Sequence, residues 1–335
     1  MPRLHYVGID VSARELEVRV QRRASDPIEA LSFPNHAQGH RQLDHRLTKR
    51  RRKARVVLEA TGNYHLDVAL ALDRAPGIEI MVANPRSVSD FAKAHLKRSK
   101  TDAIDAELLL EYARRMVFQP WVPPAPELLE LRALARRCHA LTKSRTQEKN
   151  RLHATESCEA LPSSVRNDIG VNIRHLDRRI AQLEKLALEL IARVPPLRQA
   201  MGHLISVKGI AQSSALRILA ELSLLPRDMT ARQWVAHCGL DPRHITSGSS
   251  VHRPPRVSKV GNKHLRAALY MPALCAAQFE PNVRAFVNKL IDRGKKPMQA
   301  NLAVMRKLLH SIYGMLKHGQ DFEGEKFFAL VPAKP

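Results

Sequence analysis

The sequence predicts an α/β domain at its start, over residues 1–118, and helices almost throughout the rest of its 335 residues. Three observations carry that expectation. Strand-like and helical patterns alternate through the first 118 residues, a proline-rich stretch at 119–126 (QPWVPPAP) then breaks the pattern, and beyond it apolar residues recur every three or four positions. The expected divisions are therefore 1–118, a linker over 119–126, a long helical or coiled-coil segment over 127–195, and a mainly α C-terminal domain over 196–335.

Leu4–Val11 reads as a strand by its period of two, with Asp10 near its exit. Glu15–Val20 and Ile28–Phe33 follow as strands joined by tight turns, and His36–Lys49 as a helix. Arg55–Glu59 is a short apolar strand ending on an acid, and Thr61, Gly62 and Asn63 turn the chain into a helix over Tyr64–Asp73. Ile78–Val82 is another strand, followed by Pro85 and a helical stretch over Ser87–Ala94. In the next stretch, KRSKTDAIDAE over Lys97–Glu107, Asp102 and Asp105 lie three residues apart and so face the same way on a helix. Two like charges side by side cost stability unless a cation sits between them. With Asp10 and Glu59 they make four acids, an all-oxygen donor set that would hold two hard divalent ions. The alternative is an ordinary first-turn role, in which the acids favour the helix dipole. Three strands, then alternating helix and strand, with acids on the first and fourth strands and on a following helix, is the layout of the ribonuclease H-like (RuvC-like) fold.

Past the linker, Leu128–Ala160 and Val165–Val194 read as two long helices split by Pro162. Leu128, Leu131, Leu134 and Leu141 form one seam, and Leu176, Ile180, Leu183, Leu186 and Leu190 the other. They suit an intramolecular hairpin or a coiled coil between subunits equally well. Arg136, Arg137, Lys143, Arg145, Lys149 and Arg151 form a basic face that suits phosphates or plain solvent. Leu204–Leu222 resembles a helix-hairpin-helix, with Lys208 and Gly209 in its turn and free N–H groups at the start of the next helix to grip a phosphate. A plain glycine-capped turn is the alternative.

Gly239–Leu265 reads as a loop carrying Ser247, Ser249 and Ser250 around Gly248, among Arg243, Arg253, Arg256, Lys259 and Lys263. A serine hydroxyl among cations is what covalent phosphoryl transfer needs, because the transition state is anionic. Leu265–Gln278, Val283–Arg293 and Pro297–Leu316 read as helices, with Tyr270 and Met271 expected to pack.

Lys and Arg number 55 against 32 Asp and Glu, a formal charge of +23, which points to a polyanion partner and to nucleic acid above all. No stretch has the apolar length of a spanning helix and the start has no signal-peptide core, so the expected location is the cytoplasm, associated with the nucleoid. Cys138, Cys158, Cys238 and Cys275 lie far apart, which supports neither disulfides nor a zinc site. Aromatic residues are only 4%, too few for a single-strand binder built on base stacking.

GIDVS at the start, LEATGNYH around Glu59, KTDAIDA around Asp102 and Asp105, GLDPRHITSGSS and RPPRVSKVGNKHLRAALYM together resemble the DEDD transposases of the insertion-sequence one-ten family, to which the pilin-gene invertases are related. The resemblance runs over nearly the whole chain, in order. It implies a RuvC-like domain whose Asp10, Glu59, Asp102 and Asp105 bind Mg²⁺ (or Mn²⁺), and a helical transposase domain whose serine, by the serine-before-glycine pattern, falls on Ser247. It further implies a nucleophile that joins covalently to a strand of double-stranded DNA, a homo-oligomer in which the two domains meet across subunits, and in some members a structured guide RNA encoded by the element. Three rivals make different demands. A Holliday-junction or other structure-specific nuclease needs the same acids but attacks with water, and a basic architectural protein binds without breaking strands. Sugar-kinase-like ATP binding, suggested by GIDVS, needs a later glycine-rich phosphate loop that the sequence lacks.

Overall fold

In the computed structural model the described residues are 4–49, 51–60, 62–95, 101–157, 162–247 and 251–330. The chain divides into two compact units, Met1–Pro123 and Pro124–Pro335.

The first unit is built on a five-stranded sheet of β1 (Leu4–Val11), β2 (Glu15–Gln21), β3 (Glu29–Pro34), β4 (Lys53–Glu59) and β5 (Ile78–Ala83), in the order β3-β2-β1-β4-β5. β1, β2 and β3 run antiparallel in succession, whereas β4 lies parallel to β1 and β5 parallel to β4. Alternate residues of the strands feed two cores. Val7, Ile9, Leu16, Val18, Val56 and Leu58 pack with Leu43 and Leu47 of α1 (Ala37–Thr48) and Val68 and Leu72 of α2 (Tyr64–Asp73). On the opposite face Val57 and Met81 pack with Val88 of α3 (Pro85–Ala94) and Leu108, Leu109 and Tyr112 of α4 (Asp102–Arg115). Trp121 belongs to this unit: its N–H donates to the Ile80 carbonyl of the edge strand β5 at 2.6 Å, and its ring packs on the first core. The proline-rich stretch thus begins by covering a sheet edge.

Gly8 sets how closely α4 approaches β1. A Cβ there would stand 2.2 Å from both the Ala106 carbonyl oxygen and the Leu110 nitrogen, backbone atoms that cannot swing aside. Gly8→Ala is therefore expected to cost about 3 kcal/mol, the upper end of overpacking penalties, read as a lower urea midpoint for the first unit.

The second unit opens with α5 (Pro126–Glu156) and α6 (Ser163–Arg193), an antiparallel pair in which Leu141 clusters with Leu176 and Ile180 while Leu131 and Ala135 share a core with Ala187, Leu190 and Ile191. Leu186, expected in the seam, is 45% exposed because the contact runs through Ala187. The remaining elements are α7 (Pro195–Ile205), α8 (Gln212–Leu222), α9 (Ala231–Cys238), β6 (Pro242–Ser247), β7 (Val251–Val257), α10 (Lys263–Phe279), α11 (Pro281–Asp292), α12 (Pro297–His318) and α13 (Gly324–Phe327). Leu204, Ile218, Leu269, Leu308 and Phe327 are among the fully buried side chains of their common core. Tyr270 packs against that core as expected; Met271, also expected to pack, is 56% exposed because it falls on the outer face of α10.

One local feature differs from the sequence expectation, and a second adds to it. The stretch taken as a loop contains the β6–β7 ribbon, whose residues 242–244, 246 and 254–256 are exposed. The segments PRHITS and VHRPPRV carry no regular alternation of apolar and polar residues to detect. Gly209, with φ +111, turns its Cα toward α10, where a Cβ would lie 2.5 Å from the Ala276 nitrogen. That glycine serves helix packing.

Candidate functional site

The register of the sheet places Asp10 and Glu59. Ile9 pairs with Leu58 across the parallel β1–β4 contact, so Asp10 and Glu59 stand side by side at the carboxyl ends of these strands. Both lie on the α4 face: Glu59 alternates with Val57, which packs there, and Asp10 with Gly8, whose missing Cβ points at α4.

Helix α4 runs against the direction of β1. Arg114 donates to Gln21, the β2 partner of Tyr6, at 2.8 Å, while Gly8 faces the turn from Ala106 to Leu110. Moving two residues along the strand from Gly8 to Asp10 advances about 6.6 Å, the rise of about four helical residues. That displacement brings Asp10 level with the first turn of α4, which carries Asp102 and Asp105. The helix starts there because the Thr101 hydroxyl accepts from the Ile104 N–H at 3.3 Å and the Thr101 carbonyl accepts from the Asp105 N–H at 2.9 Å. Asp105 is half-buried and Asp102 exposed. Sequence reasoning missed Glu17, the antiparallel partner of Asp10, which shares this face and is paired with Arg19 at 3.2 Å. Its signal, a period-two position opposite Asp10, appears only once the hairpin register is known.

All four expected donors are carboxylates, the chemistry a hard divalent ion takes. The backbone gathers them at one end and one face of the sheet. As the side chains are arranged, no three His, Cys, Asp or Glu among the described residues form a metal-holding group.

The second expected site lies on the β6–β7 ribbon. Ser247 is the last residue of β6, opposite Val251 at the ribbon's tip; Ser249 and Ser250 lie outside the described residues. Arg243 and Arg256 are direct cross-strand partners, and both are exposed. Like charges placed opposite one another destabilise a ribbon, and an isolated two-stranded ribbon is only marginally stable, so this pairing favours an anionic partner. Arg253 is the backbone partner of Ile245, past a register shift between Arg243 and Ile245. Lys259 and Lys263 are exposed, the first in the left-handed region at φ 54. Lys208 is exposed beside Glu280 at 3.8 Å.

The foot of the ribbon is rigidly held. Ser258 donates from Oγ to Asp241 Oδ1 at 2.5 Å and from its N–H to the Asp241 carbonyl at 2.9 Å, and the Asn262 N–H donates to the His237 carbonyl at 2.6 Å. Asn262 caps α10 by accepting from the His264 and Leu265 N–H groups, and its own amide donates to Glu221 Oε2 at 2.7 Å. Glu221, only 5% exposed, also receives both prongs of Arg136 at 2.7 and 2.9 Å. Burial works to raise the Glu221 carboxyl, but the hydrogen bonds from Arg136 and Asn262 prevail and hold it below its ordinary value. One buried carboxylate thus ties α5, α8 and the start of α10 together. Glu221→Ala is expected to cost about 3 kcal/mol, the lower end for a broken buried pair, because the Arg136 it abandons keeps some access to water. Thermal or urea unfolding checks this, with Glu221→Gln falling between the two.

The expected basic face of α5 is partly spent on internal pairs: Arg136 on Glu221, Arg145 on Asp177 at 2.7 Å, and Arg151 on Glu148 at 2.5 Å. Cys138 and Cys238 are buried, and burial pushes the Cys238 thiol up to about 12. No helix among the described residues is long and apolar enough to cross a membrane.

Comparison with known proteins adds to this picture. Residues 7–155 match a family model described as "Transposase", and residues 201–288 match one described as "Transposase IS116/IS110/IS902 family". The chain is 28% identical over 323 residues to the pilin gene-inverting protein of Moraxella bovis, covering 95% of this chain and 97% of that protein. It is equally similar, over the same shares, to the pilin gene-inverting protein of Moraxella lacunata. A shorter match of 120 residues at 27% identity, covering 36% of this chain and 29% of the relative, is to an uncharacterized 43.6 kDa protein of insertion element IS110 from Streptomyces coelicolor.

Proposed function

The chain belongs to the IS116/IS110/IS902 transposase family and is a DNA recombinase; from that premise we propose that it cuts and rejoins DNA strands through a serine ester, with a divalent cation held by four carboxylates. The observation that carries the reading is the placement of Asp10, Glu59 and the first turn of α4 at one end and on one face of the first sheet. The order β3-β2-β1-β4-β5, with β1 central and acids at the ends of β1 and β4, supports a ribonuclease H-like (RuvC-like) assignment of this unit.

Asp10, Glu59, Asp102 and Asp105 would hold Mg²⁺ or Mn²⁺. When bound, such an ion neutralises charge on the scissile phosphate and lowers the pKa of an attacking hydroxyl. The protein's own steps follow from its residues. Ser247 Oγ gives up its proton to solvent and attacks phosphorus; an Oγ–P bond forms as the bond to one deoxyribose oxygen breaks, and that oxygen takes up a proton from solvent to end as a hydroxyl. Arg243, Arg253, Arg256, Lys259 and Lys263 offset the charge of the transition state and position the backbone, while Lys208 contacts a phosphate nearby. Because the ester conserves the bond energy, the reverse attack by another strand end rejoins the DNA.

The substrate is double-stranded DNA at the element ends and target, and the protein acts as a homo-oligomer in the cytoplasm, associated with the nucleoid. A structured RNA encoded by the element is a further partner in this reading, supported by the +23 charge. The test incubates purified protein with labelled element-end DNA, with Mg²⁺ or with EDTA, and resolves products under denaturing conditions. An SDS-resistant protein–DNA adduct that needs the cation is expected. Cleavage without an adduct indicates a hydrolytic nuclease, and binding without cleavage an architectural protein; either overturns the reading.

A further inference from the structure

Beside the Glu221 network lies a concentration of basic side chains that none of the assigned roles uses. Arg132, Arg136, His139 and Lys143 fall at intervals of four, three and four along α5 and so form one stripe. Arg217 of α8 and His264 of α10 face the stripe: His139 and His264 meet edge to face at 6.3 Å, and both lie within the field of Arg217. Ala135, Arg136, His139, Arg217, Glu221 and His264 line a shallow depression between the three helices.

The charges there do not balance. Glu221 is the single carboxylate lining the depression; both of its oxygens are taken by Arg136, with Asn262 sharing one of them, and Arg132 lies within its field. Among the described residues neither Arg132 nor Arg217 has an ion-pair partner, though both are partly buried; burial works against the charge of each, and at Arg132 the neighbouring Arg136 adds to it while Glu221 opposes. His139 Nδ1 is buried with no hydrogen-bond partner. Withdrawing guanidinium groups from water without a counter-charge costs free energy, and a phosphate is the anion their forked geometry fits best.

We propose that Arg132, His139 and Lys143 of α5, Arg217 of α8 and His264 of α10 form a cradle for the phosphodiester backbone of a nucleic acid, with the Arg136–Glu221 pair as its fixed floor. This rests on the recombinase reading and deepens it. The cradle shares the Glu221–Asn262 anchor with the foot of the β6–β7 ribbon, so a strand gripped here is registered against the ribbon that carries Ser247. It grips phosphates and reads no bases.

The test measures binding of the full-length chain to labelled duplex DNA and, in a separate arm, duplex RNA across a salt series. Each phosphate contact contributes about 0.9 to the slope of log affinity against log salt on B-DNA. Arg132→Gln with Arg217→Gln is expected to flatten the DNA slope by about 1.8, with an unchanged unfolding midpoint. Should that double variant fold poorly, Lys143→Gln, at an exposed position, is expected to flatten it by about 0.9. Flattening in the DNA arm alone, in the RNA arm alone or in both supports the cradle and identifies the backbone it takes. Unchanged slopes in both arms, with binding intact, overturn the cradle and leave the recombinase reading standing. Failure of the unsubstituted chain to bind either duplex overturns both.

Discussion

Ser247→Ala is expected to abolish the SDS-resistant protein–DNA adduct and strand joining while leaving DNA affinity within about twofold, since one neutral hydroxyl adds nothing to the counterion-release term that dominates binding. No other group in the proposed chemistry makes the Oγ–P bond, so the loss should be complete. The separation of binding from chemistry is what makes the outcome informative. Serine is the last residue of β6 at this position, paired with Val251 at the end of the ribbon, and alanine there removes only the hydroxyl. An adduct that persists in Ser247→Ala removes this serine from the mechanism, and Ser249→Ala and Ser250→Ala then identify its replacement.

Asp10→Asn and Asp105→Asn are each expected to lower strand cleavage about a thousandfold, the several kcal/mol of charge stabilisation a divalent ion supplies at a phosphate, with DNA binding retained or slightly strengthened. Asparagine keeps the shape of the side chain and removes the charge, so the sheet and the first turn of α4 should stand. Asp105 is the more telling of the helix pair because it is half-buried on α4, whereas Asp102 is exposed. Glu17→Gln provides the contrast: that carboxylate lies on the same face but is already neutralised by Arg19 at 3.2 Å, so its loss should cost less than about tenfold. Equal losses at Glu17 and Asp10 would mean that the face matters for general electrostatics only.

The first unit was readable from period-two apolar runs because most of its strands pack one face on each core; Leu4–Val11 emerges with its predicted bounds. That Asp10 and Glu59 would share one end and one face of the sheet with the first turn of α4 could only be supposed from spacing. It depends on the β1–β4 register and on Gly8 admitting α4 to within contact of the strand, both of which are tertiary facts. The β6–β7 ribbon left no trace in the sequence because PRHITS and VHRPPRV lack apolar alternation, and Pro254 and Pro255 argue against any strand. Glu221 was invisible for the opposite reason. It sits in the apolar run ALRILAEL and reads as the polar face of a helix, and only packing shows that Arg136 and Asn262 close around it.

Iron-directed cleavage of the polypeptide tests the gathering of the four carboxylates most directly. With Fe²⁺ in place of Mg²⁺ and ascorbate present, hydroxyl radicals released at a bound ion cut the nearest backbone. The expected fragments end beside Asp10, Glu59 and the Asp102–Asp105 turn together, fade with excess Mg²⁺, and vanish in Asp10→Asn. Cuts confined to one of these segments, or a pattern indifferent to Mg²⁺ and to Asp10→Asn, would contradict a shared cation.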